Sequence, residues 1–292
     1  MNLHKNSGRR SLLLSTALNF FITVVQIVGG ILSNSLSLLS DAVHNLGDTI
    51  AVFLAFLANK FGNKPANNKK TFGYKRLEVI AAFINAAVLI IISLLLIIEA
   101  IKRFYEPEPV KGGLMLIVAS AGLIANLISV LLLNPHKKSN INIKAAYLHL
   151  LGDTLSSFAV IFGGIAIIIW DAYWIDPLIT ALIGLYLIYH TIEIFKTSFN
   201  VLMQSTPEGL DVDKLKQTIT SLPEICNIHH IHTWTLDEQK IFLECHIKLC
   251  DDIKVSDTEV ITKKLEKLLF ERYNISHITI QYEYRNCTEN SV

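Results

Sequence analysis

The sequence predicts a polytopic α-helical membrane protein with six transmembrane helices, followed by a small α+β domain. Three observations predict this class: 51% of the 292 residues are hydrophobic, only 17% are charged, and the charged residues become dense after about residue 200. An average soluble protein has roughly 25% charged residues, so a purely soluble enzyme and a disordered chain are both disfavoured. The net charge of +1 argues against a basic nucleic-acid binder, and we expect no nucleic-acid partner.

Six apolar stretches are long enough to cross a bilayer as helices, because a spanning helix needs about 20 mostly apolar residues. The first lies within the uncharged residues 11–40, with a closing turn suggested by Gly29, Gly30, Ser33 and Asn34. The others cover about residues 35–58, 77–101, 113–133, 145–170 and 177–199. Residues 1–203 are therefore predicted to form a transmembrane domain in the lipid bilayer.

Lysine and arginine are distributed unevenly between the connections on the two sides of the predicted bundle. One side has Lys5, Arg9, Arg10, Lys60, Lys64, Lys69, Lys70, Lys75, Arg76, Lys137, Lys138, Lys144 and Lys196. The other side has only Lys102, Arg103 and Lys111. Because basic connections stay in the cytoplasm, the first side and both termini are predicted to be cytoplasmic. We expect a multi-pass protein of the inner or plasma membrane.

The last third of the chain has the pattern of a small folded domain. Residues 204–209 form a turn-rich hinge, residues 210–285 alternate between helical and strand patterns, and residues 286–292 are a tail. A helix near 212–219, strands at 225–234 and 241–249, a helix near 260–269 and a strand at 278–284 predict a cytoplasmic ferredoxin-like fold without its first strand. The cysteines are expected to be free thiols in a reducing compartment: Cys226, Cys245, Cys250 and Cys287.

A short internal repeat lies in the second and fifth predicted spans. Residues 44–50 read His-Asn-Leu-Gly-Asp-Thr-Ile, and residues 149–155 read His-Leu-Leu-Gly-Asp-Thr-Leu. In each copy the histidine and the aspartate are four residues apart, so the two side chains share one helix face. The repeat therefore predicts two imidazole–carboxylate arms, His44 with Asp48 and His149 with Asp153.

These four side chains predict a metal path. A charge at the centre of a bilayer costs about 2.5–3.5 kcal/mol on insertion scales, and such groups usually mark an ion or proton route. Two imidazoles and two carboxylates suit a tetrahedral divalent ion, above all Zn²⁺, with Cd²⁺, Co²⁺ and Fe²⁺ as alternatives. The ligand set alone carries −2, which one divalent ion or two protons neutralise. We therefore predict exchange of metal for protons by alternating access, with the proton count left open.

Four segments together resemble one known family. They are 40–48, with the first His-x-x-x-Asp pair, 149–153, with the second, 72–78 at the entry to the third span, and 228–234, which reads Ile-His-His-Ile-His-Thr-Trp. They resemble the cation diffusion facilitator family. The resemblance implies a homodimeric secondary transporter, not an enzyme, that exports Zn²⁺ or related ions in exchange for protons through His44, Asp48, His149 and Asp153. The short fourth-to-fifth connection favours a bacterial-type member.

The resemblance also implies a regulatory metal site in the tail, formed by His229, His246 and Glu283 at the dimer interface. Strand alternation puts Glu244 and His246 on one face, and it puts Cys245 on the opposite apolar face. The alternative is a solvated polar sheet face without metal. The roles of three further ligand-type residues stay open, namely His230, His232 and Cys287.

Asp41 lies three residues before His44 and therefore on nearly the same helix face. It either orients the His44 imidazole from outside the ligand set or relays protons. The alternative is a polar residue that faces a water-filled cavity.

Two other functional classes compete with a transporter. A membrane-embedded metal hydrolase is disfavoured because the sequence has no His-Glu-x-x-His and no glutamate beside the repeat to act as a base. A membrane-anchored metal sensor is disfavoured because an anchor needs no ligands inside the bilayer.

Overall fold

The structure is a computed structural model that describes residues 2–62, 64–136, 141–236 and 240–284. Backbone contacts divide the chain into two compact units. The first comprises Met1–Phe56 and Ala82–Phe195, and the second comprises Leu57–Ala81 and Lys196–Val292. The first unit contains most of the apolar helices, and the second contains the sheet of the tail.

Six long helices account for the apolar part of the chain. They are α1 (Asn2–Ser33), α2 (Leu36–Gly62), α3 (Arg76–Tyr105), α4 (Gly112–Leu133), α5 (Ile141–Trp170) and α6 (Ile175–Leu202). Among the described residues, all of these except α2 are long and apolar enough to cross a membrane, starting at Leu14 in α1. The 27-residue α2 is long enough but carries the polar residues of the first repeat, which lowers its hydropathy. The six-helix membrane class is therefore confirmed.

The turn predicted from Gly29, Gly30, Ser33 and Asn34 is confirmed at Asn34 but is wrong for the two glycines, because α1 continues through both and ends at Ser33. Gly29 and Gly30 instead allow neighbouring side chains to approach the α1 backbone closely. A Cβ on Gly29 would lie 2.7 Å from the Val118 side chain, and one on Gly30 would lie 2.7 Å from the Leu39 side chain. The actual turn is at Asn34, whose φ of 59° is left-handed.

A buried carboxylate, Asp176, joins the first turn of α2 to the beginning of α6. Asp176 is 0% exposed, and its oxygens accept hydrogen bonds from the Ser35 and Ser37 hydroxyls, both at 2.6 Å. They also accept from the backbone N–H groups of Leu36 at 2.8 Å and Ser37 at 3.2 Å. The first N–H groups of a helix have no partner within it, and a negative charge there is favourable. Asp176 therefore caps α2 from a different helix.

The tail consists of α7 (Val212–Thr220), β1 (Ile225–Thr235), β2 (Ile241–Leu249), α8 (Val255–Tyr273) and β3 (Ile275–Glu283). The sheet order is β1-β2-β3, with β1 antiparallel to β2 and β3 parallel to β2. Two parallel strands need a crossover, and α8 supplies it. The predicted order of elements is confirmed. The fully buried core side chains include Leu215, Ile219, Ile228, Leu243, Ile247, Leu265 and Leu269.

The expectation of free thiols is wrong for two of the cysteines, because Cys226 and Cys250 form a disulfide. Their Cα atoms are 5.0 Å apart although they are 24 residues apart in sequence. The antiparallel register pairs Ile225 with Leu249, and this brings the two neighbouring cysteines together. Cys226 and Cys250 therefore no longer support the inference that the tail lies in a reducing compartment. Cys245 is a free, buried thiol, and Cys287 lies outside the described residues.

Candidate metal centre

The two predicted arms meet as a crossed cluster. His44 on α2 reaches Asp153 on α5 (Nε2 to Oδ1, 3.2 Å), and His149 on α5 reaches Asp48 on α2 (Nε2 to Oδ2, 3.0 Å). Within each arm the imidazole and carboxylate are 3.4 Å apart on α2 and 3.7 Å apart on α5. One ligand atom from each of the four residues lies within 4.8 Å of the other three. Each imidazole thus contacts carboxylates of both helices.

The four side chains lie close enough together to share one ion. Ligands about 2.0–2.1 Å from Zn²⁺ are separated from one another by about 3.3–3.4 Å in a tetrahedron. The two crossed contacts, at 3.2 and 3.0 Å, are close to that value. The 3.4 Å contact within the α2 arm uses the other nitrogen of His44, Nδ1, and so does not belong to the same set of ligand atoms. The Oδ2 atoms of Asp48 and Asp153 are both buried. Asp48 Oδ2 lies 3.0 Å from His149 Nε2, whereas Asp153 Oδ2 lies 3.7 Å from the same nitrogen, which is beyond hydrogen-bond distance. A cation between the arms would give Asp153 Oδ2 the partner that burial demands.

Exposure of the four side chains increases in one direction. It is 2% for Asp153, 15% for His44, 30% for Asp48 and 43% for His149. On α2 it rises towards the C-terminal end, and on α5 it rises towards the N-terminal end. The crossed contacts make these two ends neighbours, because His44 pairs with Asp153 and Asp48 with His149. The cluster is therefore more exposed towards the C-terminal end of α2 and the N-terminal end of α5, and more buried in the opposite direction.

Asp41 is 1% exposed, so it does not face a water-filled cavity. Its carboxylate accepts hydrogen bonds from Gln26 Nε2 at 2.7 Å and from Ser156 Oγ at 2.5 Å. The Ser156 hydroxyl also lies 2.9 Å from the backbone carbonyl of Asp153. Asp41 thus contacts the neighbourhood of the Asp153 ligand through Ser156, whereas none of its hydrogen bonds among the described residues goes to His44.

Gln26 and Ser156 are the two hydrogen-bond donors to Asp41 among the described residues. Gln26 Oε1 accepts a hydrogen bond from Asn45 Nδ2 at 3.0 Å, so these two residues link α1 and α2 as interhelical hydrogen bonders. Ser156 was missed. The available signal was its position three residues after Asp153, which places both on one face of α5.

The tail brings together the second predicted set. Glu283 Oε2 is 3.3 Å from His229 Nε2, and Glu283 Oε1 is 2.9 Å from His246 Nδ1. One ligand atom from each of the three lies within 4.8 Å of the others. The Gln281 amide donates a hydrogen bond to Glu283 at 2.9 Å. Cys245 lies on the opposite face as predicted, where it is 1% exposed and burial raises the pKa of its thiol to about 12.

Comparison with known proteins assigns the family. The model of the cation efflux transmembrane domain matches residues 12–203, and the model of the cation efflux protein cytoplasmic domain, named for a dimer, matches residues 207–285. The chain belongs to the cation efflux, or cation diffusion facilitator, family. The family consists of metal transporters rather than enzymes.

Relatives within this family match nearly the whole chain. The zinc transporter ZitB of Escherichia coli (strain K12) is 38% identical over 289 residues, 98% of this chain and 91% of ZitB. A cadmium, cobalt and zinc/H⁺-K⁺ antiporter of Bacillus subtilis (strain 168) is 38% identical over 284 residues, 97% of this chain and 91% of its own length. The metal cation efflux system protein CzcD of Cupriavidus metallidurans is 35% identical over 286 residues, 98% of this chain and 90% of its own.

Proposed function

We propose that this cation efflux protein exports Zn²⁺, and related ions such as Cd²⁺, Co²⁺ or Fe²⁺, from the cytoplasm in exchange for protons. The observation that carries the proposal is the crossed cluster of His44, Asp48, His149 and Asp153 between two long helices. Its two imidazoles and two carboxylates suit Zn²⁺ best. The names of the relatives, a zinc transporter and an antiporter of cadmium, cobalt and zinc, support the same cargo.

Charge balance explains why a proton can replace the metal. Two ionised aspartates give the cluster −2, and the imidazoles add none while they are neutral. One divalent ion brings the total to zero, and so do two protons. A helix movement that buries the cluster is therefore favoured in the metal-loaded and the protonated forms, and it is disfavoured in the −2 form. Metal and protons then move in opposite directions.

The direction of access follows from the exposure gradient. The cluster is more exposed towards the C-terminal end of α2 and the N-terminal end of α5. In the sequence, Lys-rich connections follow α2 and precede α5, and the positive-inside rule assigns such connections to the cytoplasm. Metal would enter from that side. At the opposite end of α2, the Asp176 cap joins α2 to α6. We propose a protein of the inner or plasma membrane, surrounded by the lipid bilayer, with both termini in the cytoplasm.

Asp41 acts as a positioning residue in this proposal. Its two hydrogen bonds join Gln26 of α1 and Ser156 of α5 to α2. Because the Ser156 hydroxyl also contacts the carbonyl of Asp153, Asp41 helps to hold the two ligand-bearing helices at one separation. A direct contact between Asp41 and the ion is not needed for this role.

The tail is proposed as the regulatory part of a homodimer. Residues 1–203 carry transport, residues 204–209 form the hinge, and residues 210–285 form the regulatory domain, followed by the tail 286–292. His229, His246 and Glu283 would hold Zn²⁺ when the cytosolic level rises, because their ligand atoms already lie close together. The dimer named in the matching cytoplasmic domain supports two such tails side by side.

Purified protein in liposomes with an internal zinc dye tests this function against its rivals. A transporter gives zinc flux that follows an imposed pH gradient and disappears in the double variant Asp48→Asn/Asp153→Asn. A membrane-anchored sensor or an intramembrane metal-dependent hydrolase gives no flux. Zinc flux that does not depend on the pH gradient contradicts proton exchange but remains consistent with metal transport. Absence of flux from correctly folded protein contradicts the whole proposal.

A further inference from the structure

The turn between α1 and α2 is attached to the end of α3 by three polar residues that all contact one another. We call the end of the helices opposite the Lys-rich connections the outer end, and this turn lies there. Arg103 Nη1 donates a hydrogen bond to the Asn34 backbone carbonyl at 3.0 Å, and Arg103 Nη2 lies 3.3 Å from Glu108 Oε2. The same carboxylate oxygen accepts a hydrogen bond from Asn34 Nδ2 at 2.9 Å. Asn34, Arg103 and Glu108 are called the outer latch.

The guanidinium of the outer latch is largely shielded from water. The Arg103 side chain is 15% exposed, and its Nε lies 3.3 Å from Glu99 Oε1, one helix turn earlier on α3. Two carboxylates therefore balance its charge. Water screens an ion pair at the surface, whereas charge-assisted hydrogen bonds are stronger where water is excluded. The contacts of Arg103 thus hold α3 to the turn more firmly than an exposed ion pair does.

The residues that follow Asn34 are attached to another helix. The hydroxyls of Ser35 and Ser37 donate hydrogen bonds to Asp176 at the beginning of α6. The helices α3 and α6 carry none of the four proposed metal ligands, whereas α2 carries two of them. Residues 34–37 therefore connect the outer ends of α3 and α6 to a helix that holds the metal cluster. Separation of α2 from α3 at this end has to break the outer latch.

Two buried hydroxyls lie between the metal cluster and the outer end. Ser40 precedes His44 by four residues on α2, and Ser157 follows Asp153 by four residues on α5, so each lies about one helix turn outward from a ligand. Ser40 is 0% exposed and Ser157 is 1% exposed. Neither hydroxyl has a hydrogen-bond partner among the described residues. A buried hydroxyl without a partner costs free energy, and water or an ion on an outward route supplies that partner.

We propose that the outer latch closes the exit route of the transported ion, which leads past Ser40 and Ser157. This inference rests on the proposed transport by alternating access. While the latch is formed, the outer ends of α2 and α3 stay together, and water from outside does not reach the two hydroxyls. Release of Arg103 lets these ends separate. Arg103 is thus a positioning residue, because it controls which side the metal cluster faces without binding the ion.

Labelling of a thiol introduced by Ser40→Cys tests the latch. In intact cells, a membrane-impermeant maleimide reaches position 40 from outside only while the exit route is open, and mass spectrometry of the peptide around this position gives the labelling rate. Arg103→Gln should raise that rate by at least about tenfold, because it removes charge-assisted hydrogen bonds. Lys102→Gln is the matched control and should leave the rate unchanged, because Lys102 is 70% exposed and lies outside the latch.

A conservative change separates the charge of the latch from general damage. Lysine keeps the positive charge but has a single donor group, so Arg103→Lys should be labelled more slowly than Arg103→Gln. Equal labelling rates in these two variants would overturn the proposed role of the charge. Unchanged labelling after Arg103→Gln, or equal acceleration after Lys102→Gln, would overturn the latch.

A second variant and a flux measurement complete the test. If Arg103→Gln does not fold, Glu108→Gln on the exposed α3–α4 connection takes its place and should also accelerate labelling relative to Lys102→Gln; no acceleration would overturn the latch. Zinc flux by the parent protein in liposomes keeps the two proposals apart. Flux together with unchanged labelling overturns the latch alone, whereas absence of flux overturns the transport proposal and the latch with it.

Discussion

The replacement of Asp153 by asparagine tests the charge balance of the membrane cluster. Asp153 is the most buried of the four proposed ligands, at 2% exposure, and Asn keeps its shape while removing one negative charge. The ligand set then carries −1, and a bound divalent ion leaves it at +1. An uncompensated charge in the bilayer costs about 2.5–3.5 kcal/mol. At about 1.4 kcal/mol per factor of ten, Zn²⁺ should bind roughly 60- to 300-fold more weakly in Asp153→Asn.

Initial zinc flux into liposomes, measured against zinc concentration, gives the half-saturating concentration for each variant. Asp171→Asn is the matched control, because Asp171 is exposed at the end of α5 and asparagine tolerates its φ of 47°. The control should match the parent protein. Asp48→Asn should lose less than Asp153→Asn, because water screens the charge of a side chain that is 30% exposed.

Two results would refute this reasoning. A shift smaller than threefold in folded Asp153→Asn would mean that the cluster does not depend on neutrality. A similar loss in Asp171→Asn would assign the effect to general damage of the protein.

Three further predictions concern stability. Asp176→Ala leaves two buried backbone N–H groups without an acceptor and should cost about 2–6 kcal/mol, seen as a lower thermal midpoint in detergent than for Asp176→Asn. Burial raises the pKa of Cys245 from 9.0 to about 12, so the folded tail keeps this proton and its free energy of unfolding should fall as pH rises through that range. Denaturant titrations at several pH values should show this fall in the parent protein but not in Cys245→Ala. The same slope of unfolding free energy against pH in both proteins contradicts the prediction. Reduction of Cys226–Cys250 should lower the stability of the tail by about 3 kcal/mol, with no effect of reductant on Cys226→Ser/Cys250→Ser.

The sequence predicted the membrane helices and the His–Asp arms because both depend on local spacing. A 20-residue apolar stretch needs no partner to be recognised, and the His-x-x-x-Asp pairs follow from the helical period. The crossed contacts of the two arms did not follow, since they depend on how α2 and α5 pack. Gly29 and Gly30 were assigned to a turn for the same reason. Their role is close approach to Val118 and Leu39, which only tertiary structure reveals.

The tail shows the same limit. Alternation located β2 and the buried face of Cys245, because a regular strand has a period of two. In β1 the alternation is interrupted at His230, and the strand pattern alone gives no sign of which face each histidine takes. The Cys226–Cys250 disulfide was missed because its partners are joined by the antiparallel register rather than by a short spacing.

The hydrogen bonds of Asp41 restrict how this protein can change its access. Gln26, Asp41 and Ser156 connect three helices within the apolar part of the chain, where water cannot replace a broken hydrogen bond. Rotating any one of these helices alone would leave the buried Asp41 carboxylate without at least one of its hydrogen-bond donors. A joint tilt of α1, α2 and α5 as one rigid group costs less free energy, because it keeps these hydrogen bonds. The bound ion then moves with the group, and the helix interfaces that change are those between the group and the remaining helices.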